Sequence, residues 1–198
     1  AVADIKLSPS NPNVLFLLTG DGDPDPSETN SHGQSEVSSI GVLRSTDAGA
    51  TWYPTNFSFD HPSVIVPIKL LIHPTNVNIQ FVVGNSGIIR TTDQWSTWST
   101  VEEELVYDIE YNPGNPDIMY AGSDNKIFKS TDGGVTWVEV MDADFSEMSN
   151  AGRVEIAIAP NNANVVYALA GNWNNGLESF FQSESNGVDN SWTLQTTS

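Results

Sequence analysis

The segment at residues 130–137 reads Ser-Thr-Asp-Gly-Gly-Val-Thr-Trp, and it decides the expected fold of this chain. Serine, aspartate and glycine at this spacing are typical of a tight β-hairpin turn, because a short carboxylate bonds backbone N–H groups and glycine tolerates a positive φ. Related segments lie at 45–52 and 91–98, and a degenerate fourth copy at 183–192 carries two inserted residues. We refer to the four segments, in chain order, as box turns 1 to 4.

A second motif recurs ahead of each box turn and is centred on a proline, with an asparagine two positions later. The proline and asparagine pairs are Pro9 and Asn11, Pro74 and Asn76, Pro113 and Asn115, and Pro160 and Asn162. Apolar residues lie two and four positions before each proline, and five and seven positions after it. This period of two predicts a strand on each side of a Pro/Asn turn, since proline cannot sit within a strand ladder.

Each repeat therefore predicts four strands: one before the proline, one after it, one before the box turn and one from the box tryptophan onward. Four antiparallel strands make one blade of a β-propeller. We predict an all-β fold, a single propeller region of four blades at about residues 1–60, 61–102, 103–145 and 146–198. Further blades in the same parent chain or in a partner chain are expected to complete a larger ring.

The box turns resemble the Asp-box, or BNR, motif Ser-x-Asp-x-Gly-x-Thr-Trp, found in propellers of sialidases, sortilin-type receptors and xyloglucan-active glycoside hydrolases. The resemblance implies a structural role for the matching residues, with the tryptophan packed between neighbouring sheets. Trp95 replaces the glycine and Ser185 replaces the aspartate, which puts the local turn geometry in doubt there. The matching residues are Ser45, Asp47, Gly49, Trp52, Thr91, Asp93, Trp98, Ser130, Asp132, Gly134, Trp137, Gly187 and Trp192.

The sequence around residues 20–23 (Gly-Asp-Gly-Asp) also resembles that of large secreted propeller proteins of Bacteroidetes-type bacteria, which are cargo of a type IX secretion route. This resemblance implies a secreted or cell-surface location.

The chain has 7 basic and 25 acidic residues, a formal net charge of −18, so nucleic acid and anionic membrane surfaces should be repelled. Cysteine is absent, which excludes disulfides and zinc–thiolate sites. No apolar run is long enough for a membrane-spanning helix.

The repeats differ in length at one place. From the proline to the box turn, the second and third repeats need 17 residues each, whereas the first needs 36 and the fourth needs 23. In an antiparallel order these insertions fall on the face that carries the second-to-third loops. Insertions confined to one face commonly mark a binding face, so this long-loop face is the expected ligand site.

Two insertions supply the candidate ligand residues. Asp21, Asp23 and Asp25 alternate along the first insertion, and carboxylates so spaced could bind calcium or belong to a solvated polar loop. The same insertion contains His32 and Glu36, which are candidate ligand contacts. In the fourth insertion, Trp173 is flanked by asparagine and glycine. It could stack on a sugar ring or anchor the loop from within.

No catalytic constellation stands out. Sialidase chemistry needs converging arginines, but Arg44 and Arg90 occupy equivalent repeat positions, Lys129 takes that place in the third repeat, and Arg153 stands apart. Glycoside hydrolysis needs two carboxylates, and no motif selects a pair among the acidic loop residues Asp60, Glu102, Glu103, Glu104, Asp142, Asp144 and Glu147. We therefore expect a non-catalytic module that binds protein or glycan. A fragment of a glycoside hydrolase and a purely structural repeat remain alternatives.

Overall fold

The computed structural model describes residues 1–20, 39–59, 65–174 and 176–197. The chain divides into two compact units, Ala1–Leu105 and Val106–Ser198. Each unit contains two four-stranded sheets, and every sheet is an antiparallel meander in which the strands pair in chain order. The all-β fold class predicted from the sequence is confirmed.

The first unit contains sheets 1 and 2. Sheet 1 consists of β1 (Val2–Leu7), β2 (Leu15–Thr19), β3 (Gly41–Ser45) and β4 (Tyr53–Ser58). Sheet 2 consists of β5 (Pro67–Ile72), β6 (Gln80–Gly84), β7 (Gly87–Thr91) and β8 (Ser99–Glu102).

The second unit contains sheets 3 and 4. Sheet 3 consists of β9 (Asp108–Tyr111), β10 (Met119–Gly122), β11 (Ile127–Ser130) and β12 (Val138–Glu139). Sheet 4 consists of β13 (Ala151–Ile158), β14 (Val166–Asn172), β15 (Leu177–Ser183) and β16 (Trp192–Thr197). A 3-10 helix, η1 (Ala143–Met148), lies between β12 and β13 and was not predicted from the sequence.

The Pro/Asn turns form one repeated structure. In sheet 1 the backbone N–H of Ser8 donates to the carbonyl of Val14, and the N–H of Val14 donates to the carbonyl of Asn11. The Asn11 side chain accepts from the N–H of Asn13 at 3.0 Å. The same three bonds recur in sheets 2, 3 and 4, where the asparagines are Asn76, Asn115 and Asn162. The asparagine is therefore needed for its side-chain acceptor as well as for its tolerance of turns.

The antiparallel order gives every sheet two distinct ends. The box end carries the Pro/Asn turn and the box turn. The connecting end carries the turn between the second and third strands and the link to a neighbouring sheet. In sheet 4, whose second-to-third connection is six residues longer than in sheets 2 and 3, β14 and β15 are seven residues long each, so part of this insertion lies in the two strands.

Each unit has its own apolar core between its two sheets. In the first unit Phe16, Leu18 and Val42 of sheet 1 pack with Leu70, Val82, Ile89 and Trp95 of sheet 2. In the second unit the core between sheets 3 and 4 includes Tyr120, Ile127, Val140, Ile156, Ala168 and Phe181. Alternate residues such as Phe16 and Leu18 on β2 point into these cores, whereas every residue of β6 and β10 is buried.

A carboxylate on the first strand of each unit joins its two sheets. Asp4 accepts from the N–H of Ile5 at 2.7 Å and from the N–H of Leu70 on sheet 2 at 3.0 Å. Asp108 accepts from the N–H of Ile109 at 2.9 Å and from that of Ile156 on sheet 4 at 2.8 Å. Both aspartates lie five positions before the repeat proline, so the two units use the same link, which we call the Asp clamp.

Candidate ligand-binding surface

Three of the box turns share one hydrogen-bond pattern around their aspartate. In box turn 3, Asp132 accepts from the backbone N–H and the hydroxyl of Thr136 at 2.9 and 2.6 Å and from the Ser130 hydroxyl at 2.8 Å. Asp47 and Asp93 make the equivalent bonds in box turns 1 and 2. These carboxylates accept the hydrogen bonds that close their own turns.

The hydrogen bonds also change the acidity of the three carboxyl groups. The bond from the Thr51 hydroxyl, followed by the bond from its N–H, lowers the pKa of Asp47 to about 2. The corresponding bonds from Thr136 lower the pKa of Asp132 to about 2. The N–H and hydroxyl of Thr97 lower the pKa of Asp93 as well. A carboxyl group held ionised in this way is suited to capping backbone donors and not to proton transfer near neutral pH.

Box turn 2 keeps the turn geometry although tryptophan replaces glycine. Trp95 has a φ of 70°, and Gly49 and Gly134 at the same position have 87° and 75°. The N–H of Trp95 donates to the Thr91 hydroxyl at 3.0 Å, as the glycines do to Ser45 and Ser130. The Trp95 ring is fully buried between sheets 1 and 2, and its Nε1–H donates to Gln80 at 2.7 Å. Burial of the Trp95 ring therefore offsets the free-energy cost of its left-handed backbone conformation.

Box turn 4 has Ser185 at the position of the aspartate in the other box turns, and Asn186 makes the contacts that hold it. The side chain of Asn186 accepts from the Tyr120 hydroxyl at 2.6 Å and from the amide of Asn112 at 3.0 Å. Its carbonyl accepts from Lys129. The turn still places Asn186 and Gly187 at positive φ, and the Gly187 N–H still donates to the Ser183 hydroxyl. The degenerate box turn thus joins sheet 4 to sheet 3.

The box tryptophans lie at the rim of the sheets. Trp192 is buried, whereas Trp52 and Trp137 are half-buried and Trp98 is 42% exposed. Trp98 nevertheless contacts the neighbouring sheet, because its ring meets Phe57 of sheet 1 edge-on at 5.2 Å between centroids. Of the two tryptophans that contact Phe57, only Trp95 is fully buried.

The basic residues at the equivalent repeat positions stack on aromatic rings of their own sheets. Arg44 lies across from Phe16, Arg90 across from Phe81 and Lys129 across from Tyr120. The cation-to-centroid distances are 5.9, 5.8 and 5.6 Å. Burial lowers the pKa of Lys129 and raises that of Tyr120 to about 12. These cations have a structural partner and do not form an arginine cluster of the sialidase kind.

Three of the acidic loop residues proposed as hydrolase candidates accept hydrogen bonds from backbone N–H groups. Asp142 accepts from the N–H of Trp192 at 3.0 Å and Asp144 from that of Leu194 at 3.3 Å, so both attach η1 to β16. Glu102 accepts from the N–H groups of Glu103 and Glu104. Among the described residues, no group of three or more acidic or histidine side chains could hold a metal ion.

A groove lies at the box end of each unit, where the fourth strand of one sheet meets the box turn of the next. The first, of about 250 Å³, is lined by residues that include Arg44, Tyr53, Asn56 and Gln94. The second, of about 260 Å³, is lined by residues that include Lys129, Val138 and Asp189. Because the grooves occur at equivalent places in the two units, they follow from how consecutive sheets pack.

Trp173 is the outstanding exposed side chain of the connecting end of sheet 4. Its side chain is 69% exposed, so it is not a buried anchor of the turn. One face of the indole lies against β13 at Gly152, where a Cβ atom would come within 2.6 Å of indole Cδ2. Glycine at this position thus permits the ring to lie close against the strand while a large part of it meets solvent.

Polar groups surround the base of this tryptophan. The Asn172 side-chain oxygen accepts from the N–H groups of Asn174 and Gly176, which shapes the turn. The amides of Asn172 and Asn150 donate to the two oxygens of Glu178, at 3.4 and 3.3 Å. Trp173 therefore projects from a turn whose neighbours are hydrogen-bonding amides and a carboxylate, with no cation among these contacts.

Comparison with solved structures identifies the architecture. An ancestral GH74 enzyme is similar with a TM-score of 0.67 and 20% identity over 96% of this chain and 23% of the enzyme's chain. YCF48 from Cyanidioschyzon merolae is similar with a TM-score of 0.53 and 18% identity over 98% of this chain and 71% of that protein. This chain has the β-propeller fold. Identities at this level show the fold alone.

The propeller chain spans less than a quarter of the length of the ancestral GH74 enzyme. No protein-family model matches the sequence. No curated protein matches it either. The described part of the propeller contains no helix long and apolar enough to cross a membrane.

Several predicted ligand residues of the propeller lie outside the described residues. These are the calcium candidates Asp21, Asp23 and Asp25 and the contact candidates His32 and Glu36. The acidic residue Asp60 falls outside them as well. Sequence reasoning missed the Asp clamp, although an aspartate in the same register of the first and third repeats was a readable signal. It also missed Asn186, Glu178 and Gly152, for which no repeat pattern exists.

Proposed function

We propose that this chain is a non-catalytic β-propeller module of a secreted or cell-surface protein and that it binds a neutral glycan at the connecting end of sheet 4. The observation that carries the proposal is the exposed indole of Trp173 seated on Gly152. The box turns are assigned as Asp-box turns with a structural role. The extracellular assignment rests on the resemblance to secreted propellers.

The chemistry of the Trp173 surroundings favours a sugar over other ligands. A flat aromatic ring stacks on the apolar face of a pyranose, and amide and carboxylate groups exchange hydrogen bonds with its hydroxyls. The net charge of −18 and the Glu178 carboxylate disfavour acidic polysaccharides. A neutral oligosaccharide fits this surface best.

Calorimetric titration of the chain with neutral oligosaccharides of several linkage types tests the proposal. Trp173→Ala should weaken binding about tenfold or more, since it removes the stacking ring. Trp98→Ala is the matched control, because Trp98 is also exposed but lies at a box end, and it should leave binding unchanged. Equal affinities of the two variants, or no binding by the native chain, would contradict the glycan assignment.

A protein ligand at the same surface is the second candidate, because an exposed tryptophan is also typical of protein interfaces. Capture of a protein by the native chain and not by Trp173→Ala, together with no response to any oligosaccharide, would favour it. Failure of both assays would favour a purely structural repeat.

The hydrolase alternative predicts catalysis and not only binding. Incubation with a polysaccharide panel should release reducing sugar if the chain carries the necessary carboxylate pair, and substitution of Glu178 or Glu147 should abolish that release. Binding without release is the outcome we expect. The carboxylates that the structure describes at Asp142 and Asp144 already serve as acceptors for backbone donors of β16.

A calcium site at Asp21, Asp23 and Asp25 is proposed separately. Millimolar calcium should then raise the unfolding temperature, and a chelator should lower it, because an ion that binds only the folded state stabilises it. Asp23→Asn should reduce the shift. An unchanged unfolding temperature in both conditions would remove the site.

A further inference from the structure

The first strand of sheet 4 contains an extra residue beside the Trp173 turn. The register of β13 against β14 shifts by one residue at Gly152, which therefore forms a β-bulge. The first strands of sheets 1 and 2 shift register as well, and the extra residues there are Ala3 and Ile68. In sheet 4 the extra residue has no side chain, and the Trp173 ring lies in the space beside it.

Glycine at this bulge is needed for the tryptophan ring and not for the backbone. Gly152 does not have a positive φ, so its backbone conformation is open to other residues. A Cβ atom at Gly152 would come within 2.6, 2.8 and 2.9 Å of three indole atoms of Trp173. Glycine within a strand is otherwise unfavourable and often marks such a close approach. Gly152 thus determines how closely the ring lies against β13.

Two residues earlier, Asn150 holds the carboxylate of the same surface. The Asn150 side-chain amide donates to one oxygen of Glu178 at 3.3 Å, and the Asn172 amide donates to the other at 3.4 Å. Glu178 is therefore fixed between the start of β13 and the Trp173 turn. Each carboxylate oxygen accepts more than one hydrogen bond, so both keep acceptor capacity for a ligand. An ionised carboxylate donates none, and the ligand group that meets it must be a donor such as a sugar hydroxyl.

We propose that Glu178 is the specificity-determining residue of the glycan site and that Asn150 and Gly152 are its positioning residues. These roles rest on the proposed function, glycan binding at Trp173. Gly152 places the ring that stacks on the sugar, and Asn150 orients the carboxylate that accepts a hydroxyl of the same sugar. Because both positioning residues belong to one short segment of backbone, the spacing of ring and carboxylate is fixed before the ligand arrives. The site thereby selects sugars with a free hydroxyl next to the stacked face.

Two-dimensional ¹H–¹⁵N spectra test the role of Gly152 without any glycan. The chain has 6 tryptophans, and the indole N–H signal of Trp173 is the one that Trp173→Phe removes. Gly152→Ala should shift this signal. Gly171→Ala is the matched control on β14, because a Cβ there would make ordinary contacts of 3.7 and 4.0 Å, and it should leave the signal in place. An unshifted Trp173 signal in Gly152→Ala would overturn the positioning role, whether or not the chain binds a glycan.

Calorimetric titration tests the role of Glu178 with two probes, a neutral oligosaccharide that the chain binds and its O-methylated derivative, which has no hydroxyl protons to donate. The native chain should prefer the free sugar. Glu178→Ala should lose that preference, and Glu178→Gln, which keeps an acceptor oxygen, should restore part of it. A preference that persists in Glu178→Ala would overturn the specificity role.

The positioning residues should act through the groups they hold. Gly152→Ala should weaken binding of both probes several-fold and should have no further effect in Trp173→Ala, because both changes act through the ring. Asn150→Ala should reduce the preference for the free sugar, with Asn174→Ala as the control, since the turn uses Asn174 through its backbone N–H. No binding of any oligosaccharide by the native chain would contradict the proposed function and with it the role of Glu178, while the spectra still decide the role of Gly152.

Discussion

In each unit two sheets pack against each other, but different side chains occupy the space between them. We call the packed contact the joint and these side chains its fillers. In the first unit the ring of Trp95 projects from box turn 2 into the space between sheets 1 and 2. In the second unit box turn 4 has glycine at this place, and η1 contributes Phe145 and Met148 to the core, where Phe145 contacts Phe181 and Trp192. The difference teaches that the joint needs bulky apolar side chains, while the element that supplies them is free to vary.

The Asp clamp between the two sheets is the same in both units, although the filler side chains differ. Asp4 and Asp108 make the same two bonds, one to the next residue and one to the neighbouring sheet. Their surroundings differ, because Asp108 is buried, whereas Asp4 is partly exposed and pairs with Lys6 at 3.0 Å. The comparison therefore separates what the repeat requires from what each joint adds.

Removing the filler of the first joint should have the largest effect. Trp95→Gly should lower the free energy of unfolding by about 3–5 kcal/mol for the lost ring, less about 1 kcal/mol for relief of the left-handed backbone. The measurement is urea unfolding followed by tryptophan fluorescence and far-UV circular dichroism, with Trp98→Ala as the control in the same turn. A loss no greater than that of the control would mean that Trp95 is not the filler.

Removing the Asp clamp should have an intermediate effect that differs between the units. Asp108→Ala leaves two buried N–H groups without their acceptor and should cost about 1–3 kcal/mol. Asp4→Ala should cost less, because Asp4 is partly exposed and one of its two donors belongs to Ile5, which is 48% exposed. Urea unfolding of both variants gives the ranking, and equal losses would show that burial does not distinguish the two clamps.

The smallest effect is expected at the box turns under acid. The carboxyl group of Asp132 has its pKa lowered from 3.8 to about 2 in the folded chain. Its stabilising contribution is therefore complete above the unfolded pKa and is lost as the pH falls toward about 2. Asp132→Asn should make the unfolding temperature fall less steeply over this range.

The control for the acid experiment is box turn 4, which has Ser185 at the position that Asp132 holds in box turn 3. Ser185→Ala should leave the slope of unfolding temperature against pH unchanged. An Asp132→Asn variant with the native slope would mean that other carboxylates account for the acid sensitivity.

The repeat itself could be predicted from the sequence because its signals are local. A proline, an asparagine two positions later and alternating apolar residues specify each first hairpin, and the hydrogen bonds of Asn11 and its equivalents form within a few residues. The box turns likewise close on themselves. The all-β class and four-stranded meanders follow from these local rules.

The remaining features depend on contacts between residues distant in sequence. The sequence pattern identifies Trp95 as a departure from the box turn. It does not predict that the ring is buried, because the burial depends on packing against sheet 1, which is distant in sequence. Exposure of Trp173 was left open, because it depends on Gly152 at the start of a different strand. The 3-10 helix η1 lies in a link with no repeat counterpart, so no pattern predicted it.

The Asp clamp occurs in alternate repeats. Aspartate stands in the clamp position of the first and third repeats, Asp4 and Asp108, whereas the second and fourth have Lys69 and Glu155. The donors on the neighbouring sheets are backbone N–H groups, which every residue except proline can supply. The clamp therefore constrains the sequence of one sheet in each pair and leaves the residue it contacts on the other sheet free to vary.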